Sequence, residues 1–88
     1  MQPEIVIYVK PSCPFCAAME ELFASKGMQY KTIDYYKLSS EELEELDKKT
    51  NNWPTAPMVF INGKFHGGFE EVQELNEKGA LDKILGKK

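Results

Sequence analysis

The chain has 88 residues, enough for one small domain and too few for a second core of useful size. Its 11 basic residues face 14 acidic ones, and this balance argues against a nucleic-acid partner. No apolar run approaches the ~20 residues of a membrane span, and the N-terminus lacks the basic start of a signal peptide. We therefore expect a single cytoplasmic domain over residues 1–88 that binds neither nucleic acid nor membrane.

The first half of the chain predicts a strand, a helix and a second strand. Residues 4–9 form a continuous β-prone run, which suits a central strand buried on both faces. A helix should begin at Pro14, because the amide that proline lacks would be unpaired there in any case. Gly27 should end this helix, and residues 28–34 should form the second strand. One face of the helix carries the apolar residues Phe15, Met19, Leu22 and Phe23.

The second half predicts a helix, a hairpin and a further helix. Ser39 and Glu42 have the spacing of a capping box at a helix start. Residues 58–66 indicate a hairpin that turns at Asn62-Gly63. A helix should follow over residues 70–78, and a short final helical turn should contain Leu81, Ile84 and Leu85.

This order, β-α-β-α-β-β-α, predicts an α/β fold with one four-stranded mixed sheet. The first two strands, joined by a helix, should be parallel with a right-handed crossover. The last two strands should be antiparallel, and helices should flank both faces of the sheet.

The candidate reactive residues are Cys13 and Cys16, the only cysteines of the chain. Two intervening residues close too small a loop for a useful structural crosslink, and His66 alone cannot complete a structural zinc site. Because Cys13 precedes a predicted helix, free amides and the helix dipole should stabilise its thiolate. Lys10 should add a nearby positive charge. We expect the exposed Cys13 to attack disulfides and the shielded Cys16 to resolve the intermediate.

Three motifs, in this order, resemble the glutaredoxins: residues 10–16 (Lys-Pro-Ser-Cys-Pro-Phe-Cys), Thr55-Ala56-Pro57 and Gly67-Gly68. The resemblance implies a thioredoxin-like fold, with a cis peptide bond at Pro57 opposite the cysteines. It also implies that glutathione is the co-substrate in the reduction of glutathionylated and disulfide-bonded proteins. The implied glutathione-binding residues are Lys10, Phe15, Thr55, Ala56, Pro57, Gly68, Phe69 and Glu70. Phe69 and Glu70 depart from the family pattern, which often has a small residue and an aspartate there.

A second resemblance leaves an alternative function open. Residues 53–57 (Trp-Pro-Thr-Ala-Pro) and 63–68 resemble the monothiol glutaredoxins, which bind iron–sulfur clusters with glutathione. The alternative is therefore a cluster carrier in which Cys13 and glutathione thiols bridge two subunits. Because that class has Cys-Gly-Phe-Ser and this chain has Cys16, we expect a dithiol redox enzyme, monomeric and without a metal. A dedicated electron donor to one reductase is a third interpretation.

Two further side chains have less specific predictions. Trp53 is equally consistent with the rim of a binding site and with a packing role. His66 is most simply a strand residue that faces solvent.

Overall fold

The computed structural model describes residues 3–86, which form one mixed sheet with flanking helices. The strands are β1 (Ile5–Val9), β2 (Lys31–Asp34), β3 (Met58–Ile61) and β4 (Lys64–Gly67), and the helices are α1 (Pro14–Ser25), α2 (Ser40–Thr50), α3 (Phe69–Glu77) and α4 (Ala80–Ile84). The strand order in the sheet is β2-β1-β3-β4. β1 pairs in parallel with β2 and antiparallel with β3, and β4 pairs antiparallel with β3. The predicted α/β class, element order and strand directions are confirmed.

The core lies in two apolar layers on opposite faces of the sheet, because successive side chains of a strand point to opposite sides. Ile5 and Ile7 of β1 are buried in the first layer. Val6 and Tyr8, the alternate residues of β1, pack into the second. The first layer also contains Met19, Phe23, Val72 and Leu81 from α1, α3 and α4, and the second contains Leu46 from α2. Helices therefore cover both faces, as predicted.

The second strand is shorter than predicted, because Met28, the first residue of the predicted strand, packs at the end of α1 instead. The backbone N–H of Met28 donates to the carbonyl of Phe23 at 3.1 Å, which closes the end of α1. The Met28 side chain is buried in the first core layer. β2 therefore begins only at Lys31, where pairing with Val6 of β1 starts. A turn of 3-10 helix, Tyr35–Lys37, then leads towards α2.

The hairpin of β3 and β4 has the predicted turn and an irregularity that was not predicted. Asn62 (φ 54°) and Gly63 (φ 81°) both have positive φ, as the tight Asn-Gly turn requires. Val59 pairs with Gly67 whereas Phe60 pairs with Phe65, so His66 is the extra residue of a bulge. His66 is half-buried there, and burial and the neighbouring Lys64 lower its pKa.

Across residues 3–86, every helix is too short or too polar to cross a membrane.

Candidate functional site

The cysteine pair lies at the junction of β1 and α1. Ser12 adopts a left-handed conformation (φ 58°) that turns the chain into the helix. Cys13 is the N-cap residue with extended backbone, and Pro14 occupies the first turn, as predicted. The Sγ of Cys13 accepts a hydrogen bond from the backbone N–H of Cys16 at 3.2 Å. Cys13 is half-buried and Cys16 is buried, and both are free thiols. Only Cys13 therefore offers its sulfur to an incoming substrate.

Cys16 is held in its protonated form. Burial of the Cys16 side chain and, to a smaller extent, its hydrogen bond with the Cys13 side chain raise the pKa of the thiol to about 12. A hydrogen bond with the backbone of Lys10 acts in the opposite direction but is weaker. The thiolate is the nucleophilic form of cysteine, so the free protein keeps Cys16 inactive.

The loop between α2 and β3 faces the cysteines. The peptide bond between Ala56 and Pro57 is cis, as the resemblance implied. The carbonyl oxygen of Ala56 lies 3.8 Å from the Sγ of Cys13, close enough to accept from the thiol. Thr50 holds the start of this loop: its hydroxyl donates to the carbonyl of Leu46 at 2.9 Å and accepts from the N–H of Trp53 at 3.3 Å. The end of α2 thus determines where the loop approaches Cys13.

A cavity of about 320 Å³ opens next to this loop and the start of α3. It brings together six of the predicted glutathione-binding residues and two others. The lining residues are Phe15, Trp53, Thr55, Ala56, Gly68, Phe69, Glu70 and Glu71. Pro57 is almost fully buried nearby. The fold thus brings together residues that lie far apart along the chain, and their binding of glutathione stays a prediction.

Aromatic rings form two walls of the cavity. Phe15, 56% exposed, lies with its ring centroid 5.6 Å from that of Phe69. Trp53 packs edge-on against Phe65 at 5.3 Å, and it contacts the second core layer. Trp53 therefore packs against the core, and it also borders the cavity, whose use as a binding site stays a prediction.

Lys10 lies apart from this cavity. Its ammonium group is 4.7 Å from the ring centroid of Tyr35 and 5.8 Å from that of Tyr36, the geometry of a cation–π contact. Lys10 borders a separate shallow groove together with Cys13 and Cys16. The ammonium group is thus held by aromatic rings, and a contact with the Cys13 thiolate or with glutathione stays a prediction.

The double glycine permits close packing around the start of α3. A Cβ on Gly68 would lie 3.1 Å from the carbonyl oxygen of Pro57 and 3.3 Å from Nε1 of Trp53. A Cβ on Gly67 would lie 2.8 Å from the Cβ of Glu71. Larger residues would therefore displace the side chains that shape the cavity.

Glu71 is a site residue that the sequence reasoning missed. Its Oε1 accepts a hydrogen bond from the backbone N–H of Gly68 at 3.0 Å, which satisfies an unpaired amide at the start of α3. The signal was available, because a glutamate three residues after a helix N-cap is half of a capping box. Gly68 has no side chain to complete the box, so the pattern is easily overlooked.

Comparison with known proteins is consistent with this geometry. Residues 5–66 match the protein-family model for glutaredoxin, which covers more than half of the chain. The chain belongs to the glutaredoxin family. Glutaredoxin 1 of Rickettsia prowazekii is 36% identical over 81 residues, which are 92% of this chain and 85% of the relative. The mitochondrial monothiol glutaredoxin-5 of Schizosaccharomyces pombe is 36% identical over 87 residues, 92% of this chain and 60% of the relative.

Solved glutaredoxin structures have the same fold. The crystal structure of the buckwheat glutaredoxin–glutathione complex superposes with a TM-score of 0.82 and 29% sequence identity, over 96% of this chain and 77% of that one. The thioredoxin-like fold that the resemblance implied is thereby confirmed.

The described residues offer little to a metal ion. Between residues 3 and 86, no group of three His, Cys, Asp or Glu side chains is placed to hold one. Cys13 is half-buried whereas Cys16 is buried, so one chain presents a single accessible sulfur. A cluster would therefore need further ligands from outside the chain.

Proposed function

We propose that this glutaredoxin is a glutathione-dependent thiol–disulfide oxidoreductase that reduces glutathione mixed disulfides and protein disulfides. The observation that carries the proposal is the half-exposed Cys13 at the start of α1, paired with a buried thiol and placed beside the cavity. A relative of similar fold forms the glutathione complex named above, which supports glutathione as the co-substrate. The partners are glutathione and glutathionylated or disulfide-bonded proteins.

The first step is attack by the Cys13 thiolate on the glutathionyl sulfur of a mixed disulfide. A Cys13–glutathione disulfide forms, the substrate's S–S bond breaks, and the substrate leaves as a thiolate. The start of α1 favours the attacking thiolate through its amides and dipole. The N–H of Cys16 contributes directly, since it already donates to the Cys13 sulfur. A second glutathione thiolate then attacks the glutathionyl sulfur, which releases Cys13 and glutathione disulfide.

Cys16 acts on intramolecular disulfides of protein substrates. After Cys13 has formed a mixed disulfide with the substrate, Cys16 attacks Cys13, the second substrate thiol is released, and a Cys13–Cys16 disulfide remains. Two glutathione molecules reduce this disulfide and become glutathione disulfide. The hydrogen bond and the charge interaction with Cys13 both raise the pKa of Cys16. Because a mixed disulfide at Cys13 removes both effects, Cys16 becomes more nucleophilic when it is needed.

The cavity binds the glutathionyl group next to Cys13. Thr55, Ala56 and Gly68 supply backbone groups there, and Phe15 and Phe69 supply an apolar wall. Pro57 positions the loop, Glu70 faces the cavity, and Lys10 contributes a cation from the neighbouring groove. We further propose a monomer in the cytoplasm, where thiols are kept reduced.

The test is enzyme turnover by the two single-cysteine variants. Cys13→Ser should abolish reduction of a glutathionylated peptide and of an intramolecular protein disulfide. Cys16→Ser should retain the first activity and lose most of the second, because an internal resolving thiol outcompetes thiols in solution. Equal loss of both activities in the two variants would contradict the assigned roles. Full retention of both by Cys16→Ser would show that Cys16 does not resolve the intermediate.

An iron–sulfur cluster carrier is the second candidate. It is favoured by the similarity to the monothiol glutaredoxin-5 of Schizosaccharomyces pombe and by the Trp53–Pro57 segment that resembles that class. Anaerobic reconstitution with iron, sulfide and glutathione tests it. We expect no stable visible absorbance from the wild type, because Pro14 stiffens the loop and Cys16 competes for Cys13. A stable absorbance with a dimeric elution volume would favour the carrier.

A further inference from the structure

A groove of about 460 Å³ runs between α1 and α3 and continues the cavity. Phe69 lines both of them, and its ring centroid lies 5.6 Å from that of Phe15 at the start of α1. The groove then follows the two helices to their last residues, Ser25 and Glu77. A polypeptide that is bound at Cys13 can therefore pass over the aromatic wall of the cavity and enter this groove.

The floor and the rim of the groove differ in chemistry. Ala18, Leu22 and Phe69 form a half-buried apolar floor. The rim has two exposed carboxylates, Glu21 from α1 and Glu77 from α3. Neither of them has an ion-pair partner within residues 3–86, and none of the lining residues is basic. This combination fits lysine and arginine side chains, whose methylene groups cover apolar surface while the charge stays at the edge.

The ends of the two helices favour a cation at the same place. A helix carries a partial negative charge at its carbonyl end, which basic residues in the last turn usually offset. α1 and α3 have no basic residue in the last turn, whereas α2 has two. The lysines that follow α1 and α3 are already engaged, since Lys26 pairs with Asp82 at 2.9 Å and Lys78 with Glu74 at 2.7 Å. The far end of the groove is therefore negative for two independent reasons.

The length of the groove limits where a basic residue must stand in the partner. Glu21 follows Cys13 by eight residues, and Glu77 follows Phe69 by eight residues. At the helical rise per residue, each carboxylate lies about 12 Å beyond the active-site end of its helix. An extended chain covers this distance in about four residues. A basic residue about four positions from the reacting cysteine would thus reach the rim.

We propose that the groove between α1 and α3 is a docking site for a basic segment of a protein substrate. The segment adjoins a cysteine of an intramolecular disulfide and places its lysine or arginine side chains beside Glu21 and Glu77. Small glutathione mixed disulfides do not extend into the groove and are not affected by it. This inference rests on the proposed function, because it names the class of protein disulfide that the same site reduces.

The first test compares two peptides that contain the same intramolecular disulfide. One has lysines about four positions from each cysteine, and the other has glutamines there. Because exposed ion pairs are individually weak, the wild type should have a KM about three- to tenfold lower for the lysine peptide at low ionic strength, with equal kcat. The preference should disappear in about 1 M salt, where charges are screened within about 3 Å.

The double variant Glu21→Gln/Glu77→Gln should lose this preference without a change in kcat. The matched control is Glu44→Gln/Glu45→Gln, which removes the same charge from exposed positions on α2, at the other face of the sheet. The control should keep the preference. A preference that persists in the groove variant, or that falls equally in both variants, would overturn the inference, because overall charge would then explain it.

The second test locates the bound segment without turnover. In Cys16→Ser, a lysine peptide with one cysteine, activated as its thionitrobenzoate disulfide, forms a Cys13–peptide disulfide and releases thionitrobenzoate. A carbodiimide then joins amines directly to neighbouring carboxylates. Mass mapping should find the peptide lysines crosslinked to Glu21 or Glu77. Crosslinks confined to other carboxylates, or no crosslink, would overturn the inference.

The outcomes separate this inference from the proposed function. A wild type that reduces neither the peptides nor cysteine–glutathione disulfide would contradict the proposed function and, with it, the inference. Normal reduction of cysteine–glutathione disulfide and of both peptides, with equal KM for the two peptides, would contradict the docking groove alone.

Discussion

Replacement of Gly67 by alanine should destabilise the protein far more than the same change at Gly63. Both glycines have positive φ, 97° and 81°, so each substitution places an L-residue in a strained conformation that costs about 1–2 kcal/mol. They differ in their surroundings. A Cβ on Gly67 would lie 2.8 Å from both the Cβ and the Cγ of Glu71, whereas nothing lies within 4 Å of a Cβ on Gly63.

The difference in free energy follows from this contact. Overpacking of a well-filled site typically costs about 1–3 kcal/mol, so Gly67→Ala should lose about 2–5 kcal/mol in total. Small domains have only about 5–15 kcal/mol of stability. In a domain of this size, about 1 kcal/mol corresponds to a Tm change of about 4–8 °C. Gly67→Ala should therefore melt at least about 8 °C below the wild type.

Urea denaturation followed by far-UV circular dichroism measures both variants. The expected result is a lower midpoint for Gly67→Ala than for Gly63→Ala, with similar m-values. Equal losses in the two variants would refute the reasoning, because the contact with Glu71 would then carry no cost. A loss in Gly63→Ala near zero would show instead that the backbone strain is overestimated.

Three further outcomes are expected. In the native reduced protein at pH 8, iodoacetamide should label Cys13 and spare Cys16. A thiol with a pKa of about 12 is only about 10⁻⁴ thiolate at that pH, whereas a free cysteine is about a quarter thiolate. Equal labelling of the two cysteines, located by mass mapping, would contradict the burial of Cys16. Because folding raises the pKa of Cys16, the stability that this thiol contributes is complete below about pH 8.5 and is lost as the pH rises towards 12. The free energy of unfolding should fall by up to about 1.4 kcal/mol per pH unit over that range, and Cys16→Ala, unfolded by urea at several pH values, should have a shallower slope. Thr50→Val should lower the free energy of unfolding by about 1–3 kcal/mol, because it leaves the N–H of Trp53 without its acceptor. A change within about 0.5 kcal/mol, the range of ordinary surface substitutions, would show that this hydrogen bond contributes little to stability.

Local signals were sufficient to predict most elements of the fold and the position of the two cysteines at the start of a helix. Ser39 and Glu42 form the predicted capping box, with hydrogen bonds of 3.2 and 3.0 Å in the two directions. The Asn62-Gly63 turn depends only on the φ values that two adjacent residues can adopt. The position of Cys13 as an N-cap likewise follows from the strand before it and the proline after it. Such features depend on neighbours within a few residues, and they can therefore be predicted from the sequence alone.

Tertiary packing decided the features that depend on residues far apart in the chain. Met28 was predicted in a strand, but it closes the end of α1 and fills the core. Lys10 is close to Cys13 in the sequence, and its contact with the thiolate stays a prediction, but only the structure shows that its ammonium group lies over Tyr35, which the parallel pairing of β1 and β2 brings close.

The arrangement around the cavity has the same origin. Trp53, Gly68 and Glu71 meet because the cis-proline loop packs against the start of α3, and no pattern along the chain encodes that contact. Helix caps and tight turns are decided by the chain's local geometry. The surroundings of the Trp53 indole and of the Lys10 ammonium group are decided by which elements the core brings into contact.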